Sequence, residues 1–252
     1  MLSSGHILGM CAAIFVSSDV AFVGLYAVLP EYQGRGLGIA LWKHCMDHVA
    51  QKNAGLYAVP EQLTTYRDKA CFSIEDTRRM LVFESDAPLD TSDLVQSMGN
   101  VIIVPIEKDQ LADEVIQYDS TVVRYSRREL LRATFKEPDS VAFAGLDKFD
   151  RKVVGYVCLR TNNIGKAMAG PLYADNDAVA ELLMCCAIRQ FKPAINKGLL
   201  FMPLDSCPGG VALATKMKLE LHESLPRFFT KAIPDADFAK IYCIHTPNFS
   251  PF

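Results

Sequence analysis

The sequence predicts a mixed α/β protein made of two similar units in tandem, and three observations predict it. Apolar runs of strand character alternate with amphipathic runs of helical period along all 252 residues. A polar stretch around residues 86–99, with Pro88, Gly99 and the acids Asp86, Asp90 and Asp93, separates an earlier segment from a later one. On both sides of it an apolar strand turns directly into a helix through a short special turn, at Gln33–Gly38 and at Tyr173–Asn176. The expected division is 1–85, a linker at 86–99, and 100–252.

In the first segment, Ile7–Val16 and Ala21–Val28 flank Ser17-Ser18-Asp19 and read as a hairpin of two apolar strands. Leu37 to about Gln51 is a predicted helix: Ile39, Trp42, Cys45, Met46 and Val49 share one stripe, Leu37, Leu41, His44 and His48 a second. Gly55–Val59 is a short strand stopped by Pro60, Glu61–Lys69 is helical, and Arg79–Phe83 is a closing strand. The run at Ile7–Val16 also has the length of a signal-peptide core. It lacks a cationic start and a small-residue cleavage site, so the strand reading is preferred.

The most informative stretch is Tyr26-Ala27-Val28-Leu29-Pro30-Glu31-Tyr32-Gln33-Gly34-Arg35-Gly36-Leu37-Gly38. Three glycines at alternate positions, placed where a strand ends and a helix begins, let backbone N–H groups converge on one small volume. The helix adds its unpaired first-turn donors and the positive end of its dipole. The result is an anion cradle of the kind that takes phosphate. A Walker A loop is excluded because no Lys-Ser or Lys-Thr pair opens the helix, and the G-x-G-x-x-G dinucleotide spacing is absent.

Gln33-x-x-Gly36-x-Gly38 behind a strand ending in Val-x-Pro-Glu-Tyr resembles the pyrophosphate loop of the GNAT acetyltransferase superfamily. The resemblance implies an acetyl-CoA site formed by Tyr26, Ala27, Val28, Gln33, Gly34, Arg35, Gly36, Leu37 and Gly38. It implies that the Ala27 or Val28 amide contacts the thioester carbonyl, and that a tyrosine on the following helix protonates the leaving thiolate. Tyr66 is the match, although it lies five residues before Cys71-Phe72 where the family commonly has four before Gly-Phe. One extra residue turns a helix by about 100°, so a packing role for Tyr66 stays open. The family also places a strand, two helices and a strand ahead of this region, so the first unit is expected to be incomplete at its N-terminus.

After the linker come a strand at Val101–Ile106 and a largely helical Lys108–Phe135. Ser140–Ala144 and Val153–Arg160 read as a hairpin, and Ala167–Tyr173 as a strand. Asp175–Phe191 is helical, Leu199–Met202 a strand, Gly209–Leu219 helical, and strands at Phe228-Phe229 and Ile241–Ile244 close the chain. This order, with Tyr118-Asp119, Arg127-Arg128-x-Leu-Leu, Val154-Gly155-Tyr156 and Gly170–Asn176, resembles the C-terminal domain of two-domain bacterial and nematode GNAT proteins. The turn here carries acids and an asparagine instead of glycines. Asp175 or Asn176 would cap the helix and a carboxylate would repel pyrophosphate, so this unit is not expected to hold CoA. A structural domain and a small-ligand site using Arg127, Arg160 and Tyr173 are the two readings left.

Composition bounds the rest. With 26 Lys and Arg against 29 Asp and Glu there is no basic footprint for nucleic acid. No run reaches the ~18 apolar residues of a membrane span. Eight cysteines without CxxC or Cys/His metal spacing read as free thiols of a reducing compartment, which predicts a cytoplasmic protein without a metal. Acetyl transfer to an amine also needs a base. His44, His48, Glu31 and Asp19 are the candidates, none compelling, and a water relay is the alternative. The expected function is N-acetyl transfer from acetyl-CoA to a small-molecule amine; a weakly active acyl-CoA-binding regulator and a scaffold are the rivals. The exposed first strand is expected to be covered by the second unit or by another copy in a homodimer.

Overall fold

A computed structural model describes residues 5–107 and 109–252. The chain forms two compact units, and their limits differ from those suggested by the polar stretch. Unit 1 comprises residues 1–77 with 226–234 and 247–251; unit 2 comprises 78–225, 235–246 and Phe252.

Unit 1 opens with β1 (Gly9–Phe15) and β2 (Val20–Val28), the expected hairpin, closed by the backbone bonds Val16 N–H to Val20 O and Ser17 N–H to Val20 O. Helix α1 (Leu37–Val49) follows, then β3 (Asn53–Tyr57), which runs parallel to β2. The predicted helix at Glu61–Lys69 is instead a 3-10 turn at Pro60–Gln62 and one π-helical turn at Thr65–Lys69. The predicted strand at Arg79–Phe83 is the middle of a longer one, β4 (Ile74–Ser85), which passes out of unit 1 into unit 2. Ala21, Val23, Cys45, Val49, Ala54, Leu56, Ala58, Phe72 and Phe228 form one apolar core. Phe228 belongs to β10 (Glu220–Phe229), whose last residues pair antiparallel with β3. The sheet of unit 1 therefore includes a strand whose residues lie 170 or more positions downstream of their partners in β3. Beside it Arg227 and Asp76, both wholly buried, form an ion pair.

In unit 2, β5 (Val101–Pro105) precedes two helices, α2 (Asp109–Val123) and α3 (Arg128–Phe135). The single helix predicted over Lys108–Phe135 is thus broken, at Arg124, whose φ of +65° ends α2; Lys108 itself lies outside the described residues. The break lets Arg127 turn inward. Then come β6 (Ser140–Asp147), β7 (Val153–Thr161), β8 (Ala167–Ala174), α4 (Asp177–Gln190), a short α5 (Lys192–Lys197) that the sequence did not announce, β9 (Leu199–Phe201) and α6 (Pro208–Lys216). In this unit the strands run β5, β6, β7, β8, β9, β4, and β11 (Ile241–Cys243) lies on β8. The apolar stretch Leu182–Ala187 is almost entirely buried because α4 packs on the sheet formed by β6, β7 and β8. The expected linker is part of this unit. Thr91 and Leu94 are buried, Arg189 donates to Thr91 Oγ1 at 3.0 Å, and Val95 N–H donates to Glu181 Oε2 at 3.2 Å.

Candidate active site

The glycine-rich turn has the expected form, for a reason the structure makes specific. Pro30–Tyr32 is a 3-10 turn after β2, and the Gln33 side chain ties the turn back by donating to Val28 O at 3.0 Å. Gly34 and Gly36 then take φ of +72° and +82°, conformations that cost any L side chain energy. A Cβ at either would meet no atom within 4 Å, so backbone conformation, and not crowding, demands glycine there. Gly38 differs: a Cβ on it would come within 2.5 Å of the Tyr26 hydroxyl. Gly36 is the N-cap of α1 and no side chain caps this helix; the first intrahelical bond runs from Ala40 N–H to Gly36 O. The amides ahead of Ala40 and the helix dipole thus face an open turn, the arrangement that binds anions. Arg35 stands over the Tyr32 ring, 5.4 Å from its centre, and adds positive charge to the turn.

Next to the turn β2 departs from β3. The two strands pair at Val20, Ala21 and Phe22 opposite Asn53, Ala54 and Gly55. On its other edge β2 carries a bulge: Gly24 faces Ala12 and Ala27 faces Met10, so three steps on β2 match two on β1, and Leu25 takes φ of +52°. Leu29 N–H donates to Leu8 O at 2.9 Å. Alternation along the ladder from Leu29 then turns the Ala27 amide to β1 and the Val28 amide the other way, into the opening beside β3. A cavity of about 760 Å³ fills this opening. Its walls are the Val23–Val28 stretch of β2, the glycine turn, Ile39 and Trp42 of α1, Leu56, Tyr57 and Val59 around the end of β3, Gln62, Tyr66, and Pro247 with Asn248.

Tyr66 stands in this cavity wall. Ala70 N–H bonds to Thr65 O, an i to i+5 bond at 3.1 Å. Tyr66 therefore lies in a π turn, which is wider than an α turn. Tyr66 packs on Trp42, ring centres 5.7 Å apart, and Trp42 in turn touches Tyr26 at 5.4 Å and Phe72 at 5.9 Å. Burial, with the Tyr26 and Cys11 groups nearby, pushes the Tyr66 hydroxyl above its ordinary range, so it keeps its proton at neutral pH. Burial also raises Tyr26.

The base candidates do not join them. His44 and His48 are exposed, His48 stacking on Phe15 at 4.4 Å between ring centres, and Glu31 and Asp19 are exposed too. None of the four lines the cavity, whose polar groups are Tyr26, Gln33, Tyr57, Gln62, Tyr66 and Asn248. Tyr57, Gln62 and Asn248 were not foreseen; Asn248 in particular lies far down the sequence with no local mark of a site.

In unit 2 the corresponding turn is closed. The Asn176 side chain caps α4, accepting from Val179 N–H at 3.1 Å, and Asp175 accepts from the Tyr118 hydroxyl at 3.1 Å and Lys240 Nζ at 2.9 Å. The residues of the small-ligand reading are used internally. Arg127 is wholly buried, paired with Asp119 at 2.6 Å, and donates to the Tyr173 hydroxyl at 2.7 Å; the Tyr156 hydroxyl donates to Asp119 at 2.5 Å. Arg160 donates to the carbonyl of His245. Among the described residues no group of three or more His, Cys, Asp or Glu could hold a metal ion, and no helix is long and apolar enough to cross a membrane. All eight cysteines are free; five are buried and Cys71 is exposed.

Comparison with known proteins agrees with this division. The profile of the acetyltransferase (GNAT) family matches residues 1–70, and that of a second acetyltransferase (GNAT) domain matches 115–204. A holothin acyltransferase from Pseudoalteromonas is 29% identical over 174 residues, 69% of this chain and 55% of that protein, so the chain spans about half the length of that relative. An uncharacterised Caenorhabditis elegans protein is 27% identical over 246 residues, 90% of this chain and 75% of its own. A Pyrococcus horikoshii structure assigned as an acetyltransferase aligns with a TM-score of 0.74 at 18% identity, covering 96% of this chain and 76% of that one. A tandem GNAT protein of clavulanic acid biosynthesis gives 0.62 at 15%, covering 92% and 82%. With two GNAT domains matched in one chain and a tandem GNAT fold shared with solved structures, the chain belongs to the GNAT acetyltransferase superfamily, in its two-domain form.

Proposed function

We propose that this chain is an N-acetyltransferase that moves an acetyl group from acetyl-CoA to the amine of a small metabolite or amino-acid-like acceptor, with the chemistry in unit 1. The observation that carries the proposal is the joining, in one cavity, of an uncapped helix start with its positive-φ glycines and a half-buried tyrosine that keeps its proton. Acetyl-CoA supplies a thioester, an activated acyl group whose carbon an amine can take. The Gly34–Gly38 turn and the start of α1 hold the pyrophosphate through backbone amides, with Arg35 alongside. The Val28 amide donates to the carbonyl oxygen, on which negative charge develops. As the C–N bond forms and the C–S bond breaks, the Tyr66 hydroxyl gives its proton to the leaving sulfur, and the amine proton leaves to water, since no carboxylate or imidazole lines the cavity among the described residues. That last point also favours the second reading, an acyl-CoA-binding regulator with weak turnover. Unit 2 is assigned a structural role.

Calorimetry with acetyl-CoA, followed by thiol release measured against a panel of small amines, tests both readings. Binding with turnover on an amine supports the transferase. Binding without turnover selects the regulator, and no binding refutes the site.

A further inference from the structure

The glycine turn and Asn248 meet different parts of β2 along the cavity: Gly38 lies by Tyr26 and Val28, and Asn248 lies by Gly24. Asn248 lies so close to β2 that a Cβ on Gly24 would fall 2.2 Å from its carbonyl oxygen and 2.8 Å from its Cα. Main chain, which cannot swing aside as a side chain can, therefore covers Gly24. A few residues on, the Pro251 carbonyl accepts from the Tyr57 hydroxyl at 3.0 Å and from Arg227 Nη1 at 2.5 Å. Gly24 is in β2 and Tyr57 ends β3, so the segment crosses the opening where those strands part. Arg227 is itself pinned by Asp76 in the interior of unit 1, and moving it would strand a buried charge.

We propose that the segment 247–251 is the end wall of the acyl cleft, and that Asn248 limits the acyl group to a short chain of about acetyl to propionyl size. The inference rests on the acyl-CoA reading of the cavity. From Val28 back to Gly24 is about 13 Å of strand at ~3.3 Å per residue, the distance over which the cleft runs beside β2. An acyl chain that extends beyond the bulge at Leu25 runs toward Asn248. A long chain must displace main chain held at Gly24, Tyr57 and Arg227, whereas an acetyl group need not.

The experiment is calorimetry on the full chain with CoA, acetyl-CoA and hexanoyl-CoA. In an open apolar cleft the added methylenes would strengthen binding. Here hexanoyl-CoA should bind about tenfold or more weakly than acetyl-CoA, a difference of about 1.4 kcal/mol. Asn248→Gly, which removes a side chain from the cavity lining and frees the main chain at this position, should restore hexanoyl-CoA relative to acetyl-CoA by about the same factor. Hexanoyl-CoA binding as tightly as acetyl-CoA in the unaltered chain, or a ratio unmoved by Asn248→Gly, overturns the end wall. Absence of CoA binding altogether overturns instead the acyl-CoA reading on which it rests.

Discussion

Replacing Gly36 by aspartate should weaken acetyl-CoA binding by about two powers of ten, and the structure allows the contribution of charge to be separated from that of backbone strain. Gly36 sits at φ +82° as the N-cap of α1, and a Cβ there touches nothing within 4 Å. Gly36→Ala therefore brings only the left-handed backbone cost, about 1–2 kcal/mol. For a chain of this size that lowers Tm by roughly 2–8 °C. Gly36→Asp carries the same strain and adds a negative charge at the mouth of the cradle. At about 5 Å and an effective dielectric near 20, each pair of unit charges costs about 3 kcal/mol. Two pyrophosphate charges double that, and halving the sum for screening at an exposed turn leaves about 3 kcal/mol, or two powers of ten in Kd.

The assay is a matched pair of measurements, melting and calorimetry, on both variants. They should melt within a few degrees of each other, yet differ about a hundredfold in acetyl-CoA affinity. The gap should narrow as salt is raised, since the aspartate acts through solvent-accessible charge. Equal affinities in the two variants would refute the assignment of the turn as a phosphate cradle.

Four further outcomes are expected. Tyr66→Phe should lower kcat by about 10²-fold with near-normal acetyl-CoA affinity, and an unchanged rate would return Tyr66 to packing against Trp42. Asn176→Ala should cost about 1 kcal/mol of stability in urea titrations through loss of the α4 cap and leave CoA affinity untouched. Arg227→Met should cost about 3–5 kcal/mol by stranding Asp76, with much of it recovered in the double variant with Asp76→Leu. His245 is buried beside Arg160, with Nε2 2.8 Å from Thr134 Oγ1, and burial followed by the nearby Arg160 and Arg127 charges holds its pKa well below the ordinary value. Its folded pKa is depressed, so its contribution is present above about pH 6.5 and is lost as pH falls below that value. Melting from pH 8 to pH 5 should show the loss, flattened in His245→Gln.

What the sequence revealed was mostly local. The glycine turn, the strand before it and the helix after it each follow from contacts within a few residues, and all appear where expected. Tyr66 was legible as a candidate from its local sequence, and it lines the cavity in a π turn that the spacing did not announce. Contacts that close over long separations were not legible. Nothing around Arg227 says that it pairs with Asp76, or around Phe228 that it completes the core of unit 1, since a strand pattern does not name its partner. The polar residues 86–99 read as a linker because composition does not reveal that Thr91 and Val95 bond to α4 side chains. Arg127 invited a ligand for a similar reason. Its ligand is the protein: Asp119 eight residues before it, and hydroxyls of β7 and β8.

The two strand-to-helix turns place different side chains on one framework. Both α1 and α4 point a positive helix end at the close of a strand, and that field favours an anion in each case. In unit 1 no side chain caps α1, because Gly36 at the cap position offers none. In unit 2 the protein answers it three times. Asn176 takes the Val179 amide, Asp175 and Asp177 bring carboxylates, and these in turn are held by Tyr118, Lys240 and Tyr242. Removing the asparagine cap alone would free one amide but leave two carboxylates beside it, each repelling a phosphate charge by about 3 kcal/mol at ~5 Å. Capacity for an anion at such a turn is therefore not lost or gained by one residue. It depends on whether the whole first turn, cap and flanking charges together, is left for something outside the chain to complete.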